Sequence, residues 1–255
     1  MNEPAHVITL RLLKGFALSV DQLRVPICSS AQRLIAFLAL QDMPRTRTYV
    51  AGTLWPDVTA SRAHANLRSS LWRATRSEHH LIDASARELA VSPHITVDLH
   101  EAVARAHRLL DIAHACDDIL TTQTRVDLSA DLLPEWPEDE WVLIEREQYH
   151  QLRLYALEAM TDRLTEARRH GEAVAAGLAV VRAEPLRESA HRVLVKAHLA
   201  AGNRVAALRQ YEQCRRVLFE ELGLEPSPAL KDLLPSHSEH QGRRQPPSYR
   251  HVSTL

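Results

Sequence analysis

The residues best placed to do chemistry lie between positions 59 and 77, in the run SRAHANLRSSLWRATR. On a helix turning about 100° per residue, Leu67, Leu71, Ala74, Ala63 and His64 share one side as an apolar stripe. The opposite side, roughly 160–260° from Leu67, collects Ala65, Arg76, Ser69, Arg62, Arg73 and Asn66. It is small, polar and cationic, and it holds no acid. Exposed helix faces ordinarily mix acids and bases in i,i+4 pairs. A face without them is either a plain solvated surface or a polyanion-binding one. The major groove of duplex DNA admits one α-helix and offers guanine and adenine edges to Arg and Asn. The expected base-facing set is therefore Arg62, Asn66, Ser69, Arg73 and Arg76.

Other reactive residue types lack the spacing that chemistry requires. In HEAVARAH (100–107) the histidines stand seven apart with no third ligand nearby, and HSEH (237–240) lies close to the C-terminal end; no metal site is expected. Cys28, Cys116 and Cys214 form no CxxC and are odd in number. They read as buried small hydrophobes in a reducing compartment rather than as a disulfide framework or a zinc ribbon. There is no GxSxG and no GxxxxGK[ST], so neither an esterase-type nucleophile nor a P-loop is expected. The expectation is a non-enzyme without a cofactor.

The elements that must position the cationic face follow from periodicity. Residues 7–27 read as short strands: Ile8, Leu10 and Leu12 alternate with polar positions, and Phe16, Leu18 and Val20 alternate after a turn at Lys14-Gly15. A helix over about 29–41 follows, with Arg33 on it. A second helix spans about 47–54, capped by Thr46 and stopped before Pro56. The cationic helix at 59–77 comes third. Two strand candidates, 81–84 and 88–92, flank Ser85-Ala86-Arg87. Strands, three helices and a hairpin are the order of a winged helix-turn-helix, which makes the third helix its recognition helix. Thr46, with Arg45 and Arg47 beside it, would offer donors to a phosphate at the start of the second helix. Arg87 would stand at the wing tip.

From Asp98 the texture becomes helical, over about 98–115, 138–169, 171–183, 187–201 and 204–222. Ala173 and Ala207 stand 34 residues apart, the period of the tetratricopeptide hairpin; Arg168 occupies the place that Gly202 takes in the second unit. Stacked helical hairpins are expected. Trp136 and Trp141 read as packing anchors between the halves, and Trp55 and Trp72 as structural. The fold class is mainly α with a small β component. Its expected domains are a winged helix at 1–97, a tetratricopeptide-like helical domain at 98–235 and a disordered tail at 236–255.

Charge is divided in the same way. Residues 1–78 carry ten Lys/Arg against five Asp/Glu, and residues 79–235 carry 18 against 26. A basic front and an acidic back suit a chain whose front meets phosphates. Of 255 residues, 45% are hydrophobic and 25% charged, which supports real cores. No stretch reaches the roughly 18 apolar residues of a membrane span. The opening MNEPAHVITL has no signal-peptide pattern, so a cytoplasmic protein is expected.

Two motif sets carry a family resemblance. LWPD (54–57) followed by ANLRSSLWR (65–73) resembles the DNA-binding half of the Streptomyces antibiotic regulatory proteins, itself similar to the winged helix of OmpR-type response regulators. DLLPEWPEDEWV (131–142), EPLRESAHR (184–192), AGN (201–203) and EELGLEPS (220–227) resemble the bacterial transcriptional activator domain of the same family. Ala74 and Thr75 depart from the Leu and Arg common after the recognition helix's Leu-Trp-Arg. The resemblance implies a transcription regulator, typically an activator of secondary-metabolite gene clusters. It also implies double-stranded DNA with direct repeats, RNA polymerase and its sigma factor as partners, and head-to-tail dimers on DNA. The alternative is a protein-interaction module that uses the helical repeats with weak or no DNA binding.

Overall fold

The computed structural model describes residues 6–76, 79–111, 117–136 and 139–234. The chain opens with β1 (Ile8–Arg11), β2 (Ala17–Val20) and β3 (Leu23–Val25). β1 and β2 pair antiparallel, with Ile8 opposite Val20 and Leu10 opposite Leu18, so the alternation seen in the sequence puts these side chains on the buried face. The turn between them needs left-handed backbone at Lys14 and Gly15. A Cβ on Gly15 would lie 2.9 Å from the Glu135 carboxylate, so this glycine serves close approach as well as the turn.

Three helices follow: α1 (Ser29–Ala39), α2 (Arg47–Leu54) and α3 (Ala60–Thr75). A two-residue strand, β4 (Arg45–Thr46), runs into α2. The hairpin is β5 (Ile82–Ala84) and β6 (Glu88–Val91), and β4 completes a three-stranded sheet in the order β4-β6-β5. Then β7 (Ile95–Val97) pairs parallel with β1, giving a four-stranded sheet in the order β3-β2-β1-β7. Neither β4 nor β7 is readable from the sequence, because two or three residues hold no period.

The helical part comprises α4 (Asp98–Leu110), a 3-10 turn (Asp117–Ile119), α5 (Thr122–Leu128), α6 (Glu140–Glu166), α7 (His170–Ala183), α8 (Glu188–Ala200), α9 (Arg204–Leu222) and α10 (Pro228–Lys231). The helix expected to reach 115 ends at Leu110, and α5 is an addition to the sequence reading. α6 packs on α7, α7 on α8 and α8 on α9, a stack of hairpins. Ala173 and Ala207, the 34-residue pair, are both fully buried. Arg168 and Gly202, before α7 and α9, both adopt positive φ, 58° and 76°. The two turns thus share a conformation although only one has the glycine that suits it.

One continuous cluster of buried apolar residues runs from Ile8 to Ala197 and joins the winged part to the helices. The seam is the segment DLLPEW, which the chain lays against the β1–β2 turn. Lys14 N–H donates to Asp131 O (2.9 Å) and Leu133 N–H to Leu12 O (3.0 Å). The Glu135 carboxylate accepts from Phe16 N–H at 2.6 Å. Trp136 stacks on Phe16 with centroids 6.0 Å apart, and Trp141 meets Phe37 edge-on at 5.3 Å. Both tryptophans therefore anchor the two parts. From α6, Arg146 donates to the carbonyls of Leu132, Leu133 and Trp136, and Arg153 to that of Ala130. Asp98, at the start of α4, accepts from the N–H groups of Leu12 and Leu13 (2.8 and 3.1 Å). Burial raises its carboxyl pKa, and these bonds oppose the rise.

The structure corrects several expectations. Cys28 is exposed beside the start of α1, whereas Cys214 is buried. Burial drives the Cys214 thiol up to about 12. Cys116 and the tail at 236–255 fall outside the described residues. Trp55 packs against the core, but Trp72 is 59% exposed. Among the described residues no helix is long and apolar enough to cross a membrane, and no cluster of three or more metal-ligating side chains forms.

Candidate nucleic-acid interface

α3 begins at Thr59, whose hydroxyl accepts from Arg62 N–H at 3.4 Å. It ends at Thr75, with Arg76 as its C-cap; Ser77, the last residue of the expected helix, is outside the described residues. Ala63, Leu67, Ser70, Leu71 and Ala74 are buried, which is the apolar stripe of the sequence with Ser70 added and with His64 only half-buried at its margin. That burial fixes the rotation of α3 and turns Arg62, Ser69, Arg73 and Arg76 to solvent, with Asn66 half-buried at the edge. Arg68 and Trp72, neither of them in the expected base-facing set, are exposed beside it. Arg68, Trp72 and Arg76 form a row one helical turn apart. The signal for Arg68 was present: about 100° from Leu67, it lies outside the buried stripe.

The arginines of this face differ in what holds them. Arg62 and Arg68 make no hydrogen bond or ion pair through their side chains among the described residues. Arg73 donates to the Ser30 hydroxyl at 2.9 Å, tying α3 to the start of α1. The guanidinium of Arg76 lies over the Trp72 ring, 4.7 Å from its centroid. No acid stands on α3, so nothing on the helix neutralises the four charges.

Around α3 the predicted phosphate contacts sort into three groups. Thr46 caps α2 and accepts from Tyr49 N–H at 3.3 Å, leaving its exposed position beside the helix start. At the wing, Ser85 Oγ accepts from the N–H groups of Arg87 and Glu88 (3.2 and 2.9 Å), closing the turn without the Gly or Asn usual there. Arg87 is exposed on that turn. Arg47 is drawn into the same structure: its N–H donates to Arg87 O and its Nε to Ser85 O, both at 3.0 Å. Arg47 therefore braces the wing against α2.

Arg45 and Arg33 point elsewhere. Arg45 Nε donates to Gln41 Oε1 (2.8 Å) and its guanidinium covers Tyr49 at 5.4 Å. It lines a groove with Trp141 and Glu145 of α6. Arg33 donates to Leu54 O at 2.6 Å and pairs with Asp139, which also accepts from the Trp141 indole N–H at 3.2 Å. These two arginines serve the junction between the parts. Sequence periodicity assigns a residue to a helix face, and the neighbouring element decides what that face meets.

Comparisons with known proteins bear on this arrangement. Residues 82–235 match the family described as Bacterial transcriptional activator domain. The chain is 30% identical over 212 residues to Regulatory protein AfsR of Streptomyces coelicolor, covering 78% of this chain and 21% of that protein. It is 37% identical over 89 residues to Regulatory protein AfsR of Streptomyces griseus, covering 35% of this chain and 9% of that one. The chain thus spans about a fifth of the length of the first of these relatives. Among solved structures it is similar in fold to Mycobacterium tuberculosis EmbR in complex with low affinity phosphopeptide. That match has a TM-score of 0.66 and 21% identity, over 89% of this chain and 64% of the other.

Proposed function

This chain belongs to the bacterial transcriptional activator domain family; from that premise we propose that it is a regulator of the Streptomyces antibiotic regulatory protein type that binds duplex DNA through α3 and acts there as an activator. One observation carries the reading. The exposed face of α3 holds Arg62, Arg68, Arg73 and Arg76 with no acid on the helix. Arg62, Asn66, Ser69, Arg73 and Arg76 would face base edges in the major groove. Thr46 at the start of α2 and Arg87 on the wing would meet phosphates. Arg47 would act by holding the wing in place, and Arg45 by holding the junction.

The division of labour follows the charge. The winged part, residues 1–97, supplies the DNA contact, and residues 98–235 supply contacts to RNA polymerase and its sigma factor. Binding as a head-to-tail dimer on direct repeats, control of a secondary-metabolite cluster and residence in the cytoplasm complete the proposal.

The test is a mobility shift on the promoter DNA beside this protein's own gene, at two salt concentrations, against the R62A/R73A double variant. The expected result is a specific shift that weakens steeply with salt, with a log–log slope of about −0.9 per neutralised phosphate, and that the variant loses. Singly, Arg73→Ala and Asn66→Ala should each weaken specific binding by about 1–3 kcal/mol. Absence of any specific shift at either salt would favour the protein-interaction reading.

A further inference from the structure

Trp72 is the tryptophan that the fold leaves open. Trp141 is 9% exposed, and Trp55 and Trp136 pack against the core, whereas Trp72 stands 59% exposed on α3. Its indole N–H donates to no group among the described residues. An indole in water forgoes the burial that its large apolar area would otherwise gain, so core packing does not account for its position. Its surroundings are specific in charge. On the row Arg68–Trp72–Arg76 it has an arginine one turn to either side, Arg62 and Arg73 lie on the same exposed face, and α3 bears no acid. That setting suits a polyanion.

Arg76 is stacked on the ring at 4.7 Å. A stacked guanidinium uses its face and keeps its N–H edge free for an acceptor. In the major groove, the apolar feature that a side chain can cover is the thymine 5-methyl group, and the acceptors beside it are base edges and phosphates. We propose that Trp72 and Arg76 act as one specificity-determining unit: the indole covers a thymine methyl, and the guanidinium it carries donates to the adjacent base or phosphate. This rests on the reading of α3 as the DNA-binding helix.

The test replaces single thymines of the bound promoter duplex by deoxyuridine, which removes only the methyl group, and measures binding by the full chain. The native protein should lose about fourfold at one or two positions, the worth of one buried methyl. The Trp72→Ala variant should bind the thymine duplex more weakly and be indifferent to uracil at those positions. Trp72→Phe, which keeps an aromatic ring at this exposed site, should retain part of the sensitivity. Indifference of the native protein to uracil everywhere, or full sensitivity surviving in Trp72→Ala, would overturn the proposal. A specific shift that is lost in R62A/R73A but untouched by uracil would sink the thymine reading alone. No specific shift at all would sink both.

Discussion

His191 is fixed by both of its ring nitrogens. Nε2 donates to the Pro185 carbonyl at 2.9 Å, and Nδ1 accepts from Gln210 Nε2 at 2.7 Å. Proline's carbonyl can only accept, so the neutral tautomer is set by its neighbours. The side chain is buried where α8 meets α9, and burial lowers its pKa against the opposing pull of backbone hydrogen bonding with Pro185 and Gln210 and of the Glu188 charge. A histidine held below its unfolded value of about 6.5 adds stability above that pH, and the contribution is lost as pH falls through the folded pKa. Urea midpoints of the native chain should therefore fall between about pH 7 and pH 5 more steeply than those of His191→Gln. Parallel pH dependence in the two proteins would show that His191 does not carry this linkage.

Close approach of two helices sets the helical half at the scale of elements. Gly177 of α7 faces Leu194 of α8: a Cβ there would lie 3.1 Å from the Leu194 side chain and 3.3 Å from its Cα. The helices meet at this contact because one of them presents no side chain. Gly177→Leu must either separate α7 from α8 or force off-rotamer side chains, and it should destabilise the chain by about 1–3 kcal/mol. Urea unfolding reads the change, and an unaltered midpoint would show that the pair can spread without loss. The same logic orients α3. Its buried Ala63, Leu67, Leu71 and Ala74 decide which way the arginines face, so the exposed cationic set is a by-product of core packing.

Among the described residues, one buried core spans the winged part and the helical part. The buried cluster passes from the winged part through Trp136 and Trp141 into α6, α7 and α8. Around it, Glu135 and Asp139 bond to Phe16 and Arg33 of the other part. A core shared in this way makes partial unfolding costly, because either part alone would expose the other's apolar surface. The tryptophan signal of the junction and the far-ultraviolet helix signal should then share one urea midpoint. Two separated midpoints would show that the parts fold independently. A second, smaller cluster around Val195, Ala207, Cys214, Leu218 and Leu230 lies apart from the main core. The end of α9, nearest it, is expected to exchange its amide protons first.

What the sequence by itself determined is what repeats within one or two turns of chain. The buried stripe of α3, the acid-free side opposite it, the Thr46 cap and the turn at Gly202 all express a local period or a backbone preference, and each is legible residue by residue. The tertiary structure decided which distant group each face would meet. β7 is three residues long and exists because β1 is there to pair with it. Arg33 and Arg45 carry the same charge as Arg62, yet they are spent on Asp139 and on Gln41 and Tyr49, because α6 lies across their side of the winged part. Trp72, an aromatic at the margin of an amphipathic helix, reads as packing until the neighbours of α3 are known, and among the described residues no other element buries the ring, which stays 59% exposed. Local pattern fixes direction around an element's axis, whereas burial is a property of two elements together and appears only when both are in place.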